Sequence, residues 1–572
     1  MFGVFLPILC LLFSKTLQEK YILNNQKCKI PDLEIMNKDV RDIILPKSYV
    51  PCNKTELLTH VTKNGTKFEL HLRQDLFPQY STQNITCCYS YVTRNGSVEL
   101  PDVGISISPC VSFHEKIVLE QNIVKVVCRE NNESVVYENV HVTIKPPKPL
   151  KNTSQQFSVL LLIIDSISRL NFHRTMPETA NFLKKSNFVE MKAYSKVADN
   201  SFPNCLALLT GFSLNQSHPH CDGTKVGALD KCPIIWKDFR QHGYTTAYAE
   251  DSIVPTFNIK KKGFTDPPTD FYFKPYMEAT QTLKTQFRHS IPSCSGPEGD
   301  SERILNLAKD FAITFKHNPS FGIFWMNTFS HDDVNDPFAM DVKVRDFFRD
   351  LDEAGILKES FVFLLSDHGI RYGSILETNS GWLEERTPLD MISVPAKFKR
   401  EFGREYENLK QNSGKFTNPY DMFMTLQHIL ALGGVWHKVK PSQGCPNCVS
   451  LFDPIPDRSC QEAAIPFEWC PCFGRFKSLN KKIVSNAVNY TLAKAKETVF
   501  KLCKTDKFAF YLVSVSVSEP DHEKNKLLFV VFYLKRNTVL ATVKFKDVVS
   551  EKSQFYFRFM FFYKLCESVD YV

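Results

Sequence analysis

Beyond its first dozen residues this 572-residue chain has no apolar run long enough to cross a bilayer, which takes roughly 18 or more apolar residues in a row. "LLFVVFYL" near residue 530 is only of strand length. Internal repeats and low-complexity tracts are absent too, which excludes a solenoid or a disordered tail as the main architecture. Charge of one sign is in short supply: 70 Lys+Arg against 62 Asp+Glu leave +8, scattered and not striped, so no nucleic-acid partner is indicated. Cysteine is scarce in the middle of the chain, where only Cys205, Cys221, Cys232 and Cys294 occur. What remains is a globular composition, 43% hydrophobic and 23% charged, with ample core for one large domain carrying extensions.

The ends are richer. Residues 2–13, "FGVFLPILCLLF", read as the core of a signal peptide spanning 1–14, although no Lys or Arg precedes them and no A-x-A site follows. A buried strand or a short uncleaved anchor is the alternative. Cys28, Cys52, Cys87, Cys88, Cys110 and Cys128 crowd the first part, and Cys445, Cys448, Cys460, Cys470, Cys472, Cys503 and Cys566 the last. "CPNC" at 445 and "CPC" at 470 could be zinc ligands, but in an exported chain disulfide-stapled modules are the expected use. Sequons stand at Asn53, Asn64, Asn84, Asn95, Asn132, Asn152, Asn215 and Asn489, six of them before residue 155. Export to the extracellular space, with glycosylation at these sites, is the expectation.

Residues 28–150 alternate in short segments such as "KFELHL" and "ENVHVTIK", separated by Asn-Gly and Pro-Asp turns, which predicts a β-rich module. "KPPKPLKN" at 145–152 reads as its linker. From 155 to 440 the pattern changes. "FSVLLLIID", "YTTAYAED", "FGIFWMNTFSH" and "SFVFLLSDHG" are strands, the long apolar runs being those of strands buried on both faces. Helical patterns such as "RILNLAKDFAITFKH" lie between them. This alternation predicts an α/β fold with a doubly wound, mostly parallel sheet and helices on both faces. A cysteine-rich loop (441–475) and a small β-rich module (476–572) follow.

Polar residues collect at the predicted strand ends, where ligands of such sheets bind. Asp165 closes the first strand, His331 a later one, and Asp367 and His368 another. Ser201 opens a helix in "NSFPNCLALLTG". Each alone is more commonly a cap, a turn former or a satisfied polar residue. Together they offer oxygen and nitrogen ligands suited to a divalent metal, Zn or Mn, with Ser201 as an activated nucleophile. Asn200 and Asn204 are candidate donors to a substrate oxygen, or helix caps.

"IIDSISRLNFHRTMP", "NSFPNCLALLTG", "GYTTAYAED", "SDHGIRYG" and "LEERTPL" resemble, in order and spacing, the animal family known as domain of unknown function 229, over roughly residues 30–475. That family resembles the alkaline-phosphatase and sulfatase superfamily. The resemblance implies an alkaline-phosphatase-like core with Asp165, Ser201, Asp367 and His368 at metal positions and Ser201 as nucleophile. It also implies His331 as a metal or phosphate contact, and Arg386 as a structural or anion-facing arginine of the catalytic set. One metal site is expected, and a second is undecided. A formylglycine sulfatase would need C/S-x-P-x-R, but the last position here is Cys205, so Ser201 is expected to act as plain serine. The expected activity is hydrolysis or transfer of a phosphate ester, less so a sulfate ester, on a carrier that could be a glycan or a lipid headgroup. The alternative is an inactive extracellular binding protein that keeps the fold.

Overall fold

The computed structural model describes residues 20–559 apart from 132, 147–155, 253–254, 259–260, 289–290, 435–437, 480–484, 504–508 and 535–536. The expected signal peptide, Asn132 and Asn152 lie outside the described residues.

Seven strands build the central sheet: β1 (Ser158–Ile164), β2 (Val189–Glu190), β3 (Thr245–Glu250), β4 (Phe271–Tyr272), β5 (Ser320–Met326), β6 (Ser360–Leu365) and β7 (Asp390–Ser393). Their order is β2-β7-β6-β1-β5-β3-β4. β4, β3, β5, β1 and β6 run parallel, while β7 is antiparallel to β6 and β2 to β7. The expected mostly parallel α/β sheet is therefore present.

The apolar run of β1 explains its central place. Successive side chains of a strand point to opposite faces, so Val159, Leu161 and Ile163 enter one core and Leu160, Leu162 and Ile164 the other. Helices α1 (Ser201–Thr210) and α5 (Pro419–Leu432) supply Leu206, Leu209, Leu426 and Ile429 to the first core. Helices α2 (Asp300–Thr314) and α3 (Asp341–Glu353) supply Ile304, Phe311, Val344 and Phe348 to the second. A further helix, α4 (Asn379–Arg386), lies between β6 and β7 in the chain. The chain adds strands on both sides of β1, β5 on one and β6 on the other, so the carboxyl end of β1 is a switch point of the kind at which such sheets bind ligands.

The early part forms antiparallel sheets from Thr59–Asn64, Lys67–Leu72, Ile85–Arg94, Ile123–Glu130, Ser134–Val142 and shorter strands around their own core. The late part is a five-stranded antiparallel sheet of Phe476–Ser478, Phe510–Ser518, Lys526–Leu534, Asn537–Phe545 and Gln554–Phe559. It also contains a 19-residue helix, Ser485–Cys503, which the β-rich reading of this stretch missed. Val488, Thr491, Ala495 and Val499 recur at helical spacing and are buried, which is why the segment coils.

Seven disulfides are described: Cys28–Cys472, Cys52–Cys294, Cys87–Cys128, Cys88–Cys110, Cys221–Cys232, Cys445–Cys448 and Cys460–Cys470. The cysteines of both candidate zinc motifs are thus spent on sulfur bonds. Among the described residues no helix is long and apolar enough to cross a membrane. Asn64, Asn84, Asn95, Asn215 and Asn489 are exposed. Asn53 is half-buried, and its Nδ2 donates to the Tyr80 hydroxyl at 3.0 Å.

Candidate active site

Asp165 is the first residue beyond β1, and its N–H extends the ladder to Met326 O of β5 at 2.9 Å. Ser166 follows in the left-handed region (φ 59°), a conformation that costs a non-glycine residue on the order of 1–3 kcal/mol. The turn gains contacts in return: Ser166 N–H donates to Asp367 Oδ1 (3.2 Å) and Ser166 Oγ to Asp165 Oδ1 (2.6 Å). Asp367 and His368 leave β6 in the adjacent "SDHG" turn. Gly369 is required there because a Cβ would stand 2.1 Å from Glu384 O of α4, and its N–H donates to Glu385 O at 3.0 Å. Thus α4 packs directly beneath the turn that presents both residues.

One ligand atom each from Asp165, Asp367 and His368 lie within 4.8 Å of one another, and all three residues are buried. His368 Nδ1–H donates to Gly369 O at 2.9 Å, which assigns the lone pair to Nε2. Burial, helped by the Arg371 and Lys196 charges, holds this ring well below its ordinary value, so it is neutral. Nε2 stands 3.1 Å from Asp367 Oδ2, a buried oxygen that accepts no hydrogen bond. Two lone pairs facing each other is an arrangement that a cation relieves. Burial and then the Asp165 charge push Asp367 up to about 7. Oxygen-rich with one imidazole nitrogen, the group fits a divalent metal.

Ser201 sits at the mouth of this group. Its Oγ donates to Asp165 Oδ2 at 3.1 Å and lies 3.4 Å from His368 Nε2. It is the first residue of α1 and not its cap: Asn200 is the N-cap, exposed, with no capping hydrogen bond from its side chain. Asn204, expected as a substrate donor, has no donor left to offer. Its Nδ2 donates to Ala198 O and Asn200 O, and its Oδ1 accepts from Val197 N and Ala198 N. The side chain is buried and staples the loop that delivers Ser201.

His331 lies half-buried on the loop after β5, with Nδ1 2.7 Å from Asp332 Oδ1 and its ring against Tyr372. Burial lowers its pKa, but the Asp332 hydrogen bond and the Asp165 charge outweigh burial, and the net shift is upward. Arg386, expected in the catalytic set, is committed elsewhere. Its guanidinium is buried, donates from Nε to Glu468 O (3.0 Å) and from NH1 to Trp382 O (2.8 Å), and stacks on Trp382. The place is structural because every one of these partners belongs to the scaffold. Cys205 is a free, buried thiol where a formylglycine motif would carry arginine.

Several site residues carry no signal in the sequence. Ser166 reads as a turn residue. Arg371 and Asp199 gain meaning only by meeting, with Arg371 NH2 2.9 Å from Asp199 Oδ2. Lys196, fully buried, donates to Glu385 Oε1 at 2.7 Å, and Arg558 of the last strand donates to the same oxygen at 2.5 Å. Each charged residue of "LEER" proves to hold a different segment: Glu384 takes Arg174 and Ser168, Glu385 takes Lys196 and Arg558, and Arg386 takes Glu468.

A family model described as "Protein of unknown function (DUF229)" matches residues 45–510. This chain belongs to that family. The match runs further into the late part than the resemblance legible in the motifs, and begins later. No curated protein matches this DUF229 chain. Similar solved structures include a protein of the alkaline phosphatase superfamily from Vibrio parahaemolyticus (13% identity, 70% of this chain and 84% of that one, TM-score 0.35). Another is the C-terminal periplasmic domain of the phosphoethanolamine transferase EptC from Campylobacter jejuni (13%, 50% and 96%, 0.33). The lipoteichoic acid synthase LtaP from Listeria monocytogenes is a third (10%, 50% and 75%, 0.35). At such distance these likenesses carry no chemistry from one chain to another.

Proposed function

We propose that this DUF229 chain is an exported, metal-dependent hydrolase or transferase of phosphate esters, or less readily of sulfate esters, with Ser201 as its nucleophile. The observation that carries the reading is the serine hydroxyl at the mouth of a buried Asp–Asp–His group, hydrogen-bonded to one carboxylate and beside the imidazole. Asp165, Asp367, His368 and Ser201 would hold the metal, zinc or manganese by donor set. When bound, it supplies Lewis-acid stabilisation of charge and eases ionisation of a hydroxyl.

The chain's own residues do the rest. Ser201, its proton released to solvent, attacks the phosphorus or sulfur atom through Oγ, and the ester bond to the leaving alcohol breaks. His331, its pKa raised against burial by the Asp332 hydrogen bond and the Asp165 charge, would donate a proton to the departing oxygen. The positive end of α1 favours the negative charge gathered at Ser201. Water or an acceptor alcohol then gives its proton back to His331 and attacks the serine ester, forming the free acid or the product ester respectively and releasing Ser201. Asn200 is the asparagine still able to contact the group being transferred. Export is supported by the seven disulfides and five exposed sequons.

The test is metal analysis of the purified protein together with a panel of chromogenic phosphate monoesters, diesters and sulfate esters, alongside Ser201→Ala. Bound metal and a Ser201-dependent turnover of one ester class are expected. Metal-free protein inert on the whole panel after zinc or manganese loading would overturn the reading.

A further inference from the structure

Arg371 stands two residues beyond Gly369 of the "SDHG" turn, and only one of its nitrogens is engaged. NH2 meets Asp199 Oδ2 at 2.9 Å, while Nε is buried without a hydrogen-bond partner among the described residues. An unpaired buried donor of a charged group is costly, of order 1–3 kcal/mol or more, and such a donor marks a place where a partner arrives. The guanidinium lies close enough to the site for its charge to depress both His368 and His331. Its single partner is unusual. Asp199 is two residues before Ser201, has a side chain 42% exposed, and is held on its other oxygen by Arg558 at 2.6 Å. Arg558 is itself anchored on Glu385. Asp199 is therefore a carboxylate that fills an anion position next to the nucleophile, and a second arginine can keep it once Arg371 lets go.

Resting on the function proposed above, we infer that Arg371 binds the nonbridging oxygens of the phosphate or sulfate group presented to Ser201. In the free protein Asp199 takes that place. When the substrate anion enters, Arg371 turns its fork to two of its oxygens, a bidentate match that a guanidinium makes better than any other side chain. Arg558 retains Asp199, so the loop carrying Ser201 keeps its position. The late sheet thus has a part in the site, through one residue of its last strand.

Inorganic phosphate is the probe, titrated into zinc-loaded full-length protein and followed by calorimetry, so no turnover is needed. Arg371→Gln should weaken phosphate binding by about tenfold to a hundredfold, the range of a charge-assisted hydrogen-bonded pair. Arg371→Lys should recover part of it. Asp199→Asn should tighten binding several-fold, because the competing carboxylate is gone; a purely structural ion pair predicts weakening or no change. Equal phosphate affinity in wild type and Arg371→Gln, or weaker binding in Asp199→Asn, would overturn the inference. The two proposals fail separately. Arg371-dependent phosphate binding without turnover of any ester leaves this site standing and sinks the proposed activity. Turnover with unchanged kcat/KM in Arg371→Gln does the reverse.

Discussion

Ser201 is positioned by what its hydroxyl does not do: it caps no helix, and its bonds go to Asp165 and His368 instead. Ser201→Ala should therefore leave the melting temperature nearly unchanged while turnover falls by about a thousandfold or more, as loss of a covalent nucleophile does. His331→Gln should slow esters of alkyl alcohols by about a hundredfold or more and nitrophenyl esters far less, since a good leaving group needs no proton. A metal held as proposed would have a stability signature as well. An unfolded aspartate titrates near 4, whereas Asp367 is held up at about 7 by burial and the Asp165 charge. Metal-free protein thus loses stability as pH rises from about 4 to about 7, and bound cation offsets the loss. Chelation should lower the melting temperature more at pH 8 than at pH 5, and Asp367→Asn should flatten that dependence. That Asp165, Ser201, Asp367 and His368 meet at one place was legible in the sequence because each stands at a strand end or helix start, a position visible locally. The bonds that commit Asn204 and Arg386 were not legible, because their partners, Val197, Ala198 and Glu468, are fixed by loop geometry that no pattern displays.

Between residue and molecule, α4 does the joining. Its Glu385 carboxylate, fully buried, neutralises Lys196 of the nucleophile loop and Arg558 of the late sheet. Burial opposes its charge, but Arg558, Lys196 and Arg386 more than compensate and hold it well below the usual carboxylate range. Removing one partner of a buried pair strands the others, typically at about 3–5 kcal/mol. Glu385→Ala should lower stability by about that amount, measured by denaturant unfolding, and should open the last strand to limited proteolysis before the central sheet yields. Of the central sheet, β1, β3, β5 and β6 were readable from their runs, since burial on both faces leaves no alternation to mistake. The helix Ser485–Cys503 was not, because the strongly strand-like segments after it set the reading of the whole stretch. β2, β4 and β7 are too short or too edge-placed to stand out, and only the pairing shows them.

The whole chain is closed on itself by Cys28–Cys472, cysteines 444 positions apart, with Lys29 bridging to Phe473 and Tyr21 to Glu519. Non-reducing peptide mapping should recover Cys28–Cys472 and Cys52–Cys294, the two long-range links among the described residues; a Cys28–Cys52 peptide as the main species would contradict the structure. The count and crowding of cysteines announced cross-links, but partners so distant carry no local mark. That closure has a consequence in time. A chain is synthesised at about 5–20 residues per second, so Cys28 waits about 20–90 s for its partner to be made. Throughout that interval Cys52, Cys87 and Cys88 are nearer neighbours in the same oxidising surroundings. The native pairing thus has to wait for residue 472 to be made, and the yield of this protein should depend on a thiol-exchange catalyst that undoes early, wrong unions before Cys472 arrives to claim Cys28.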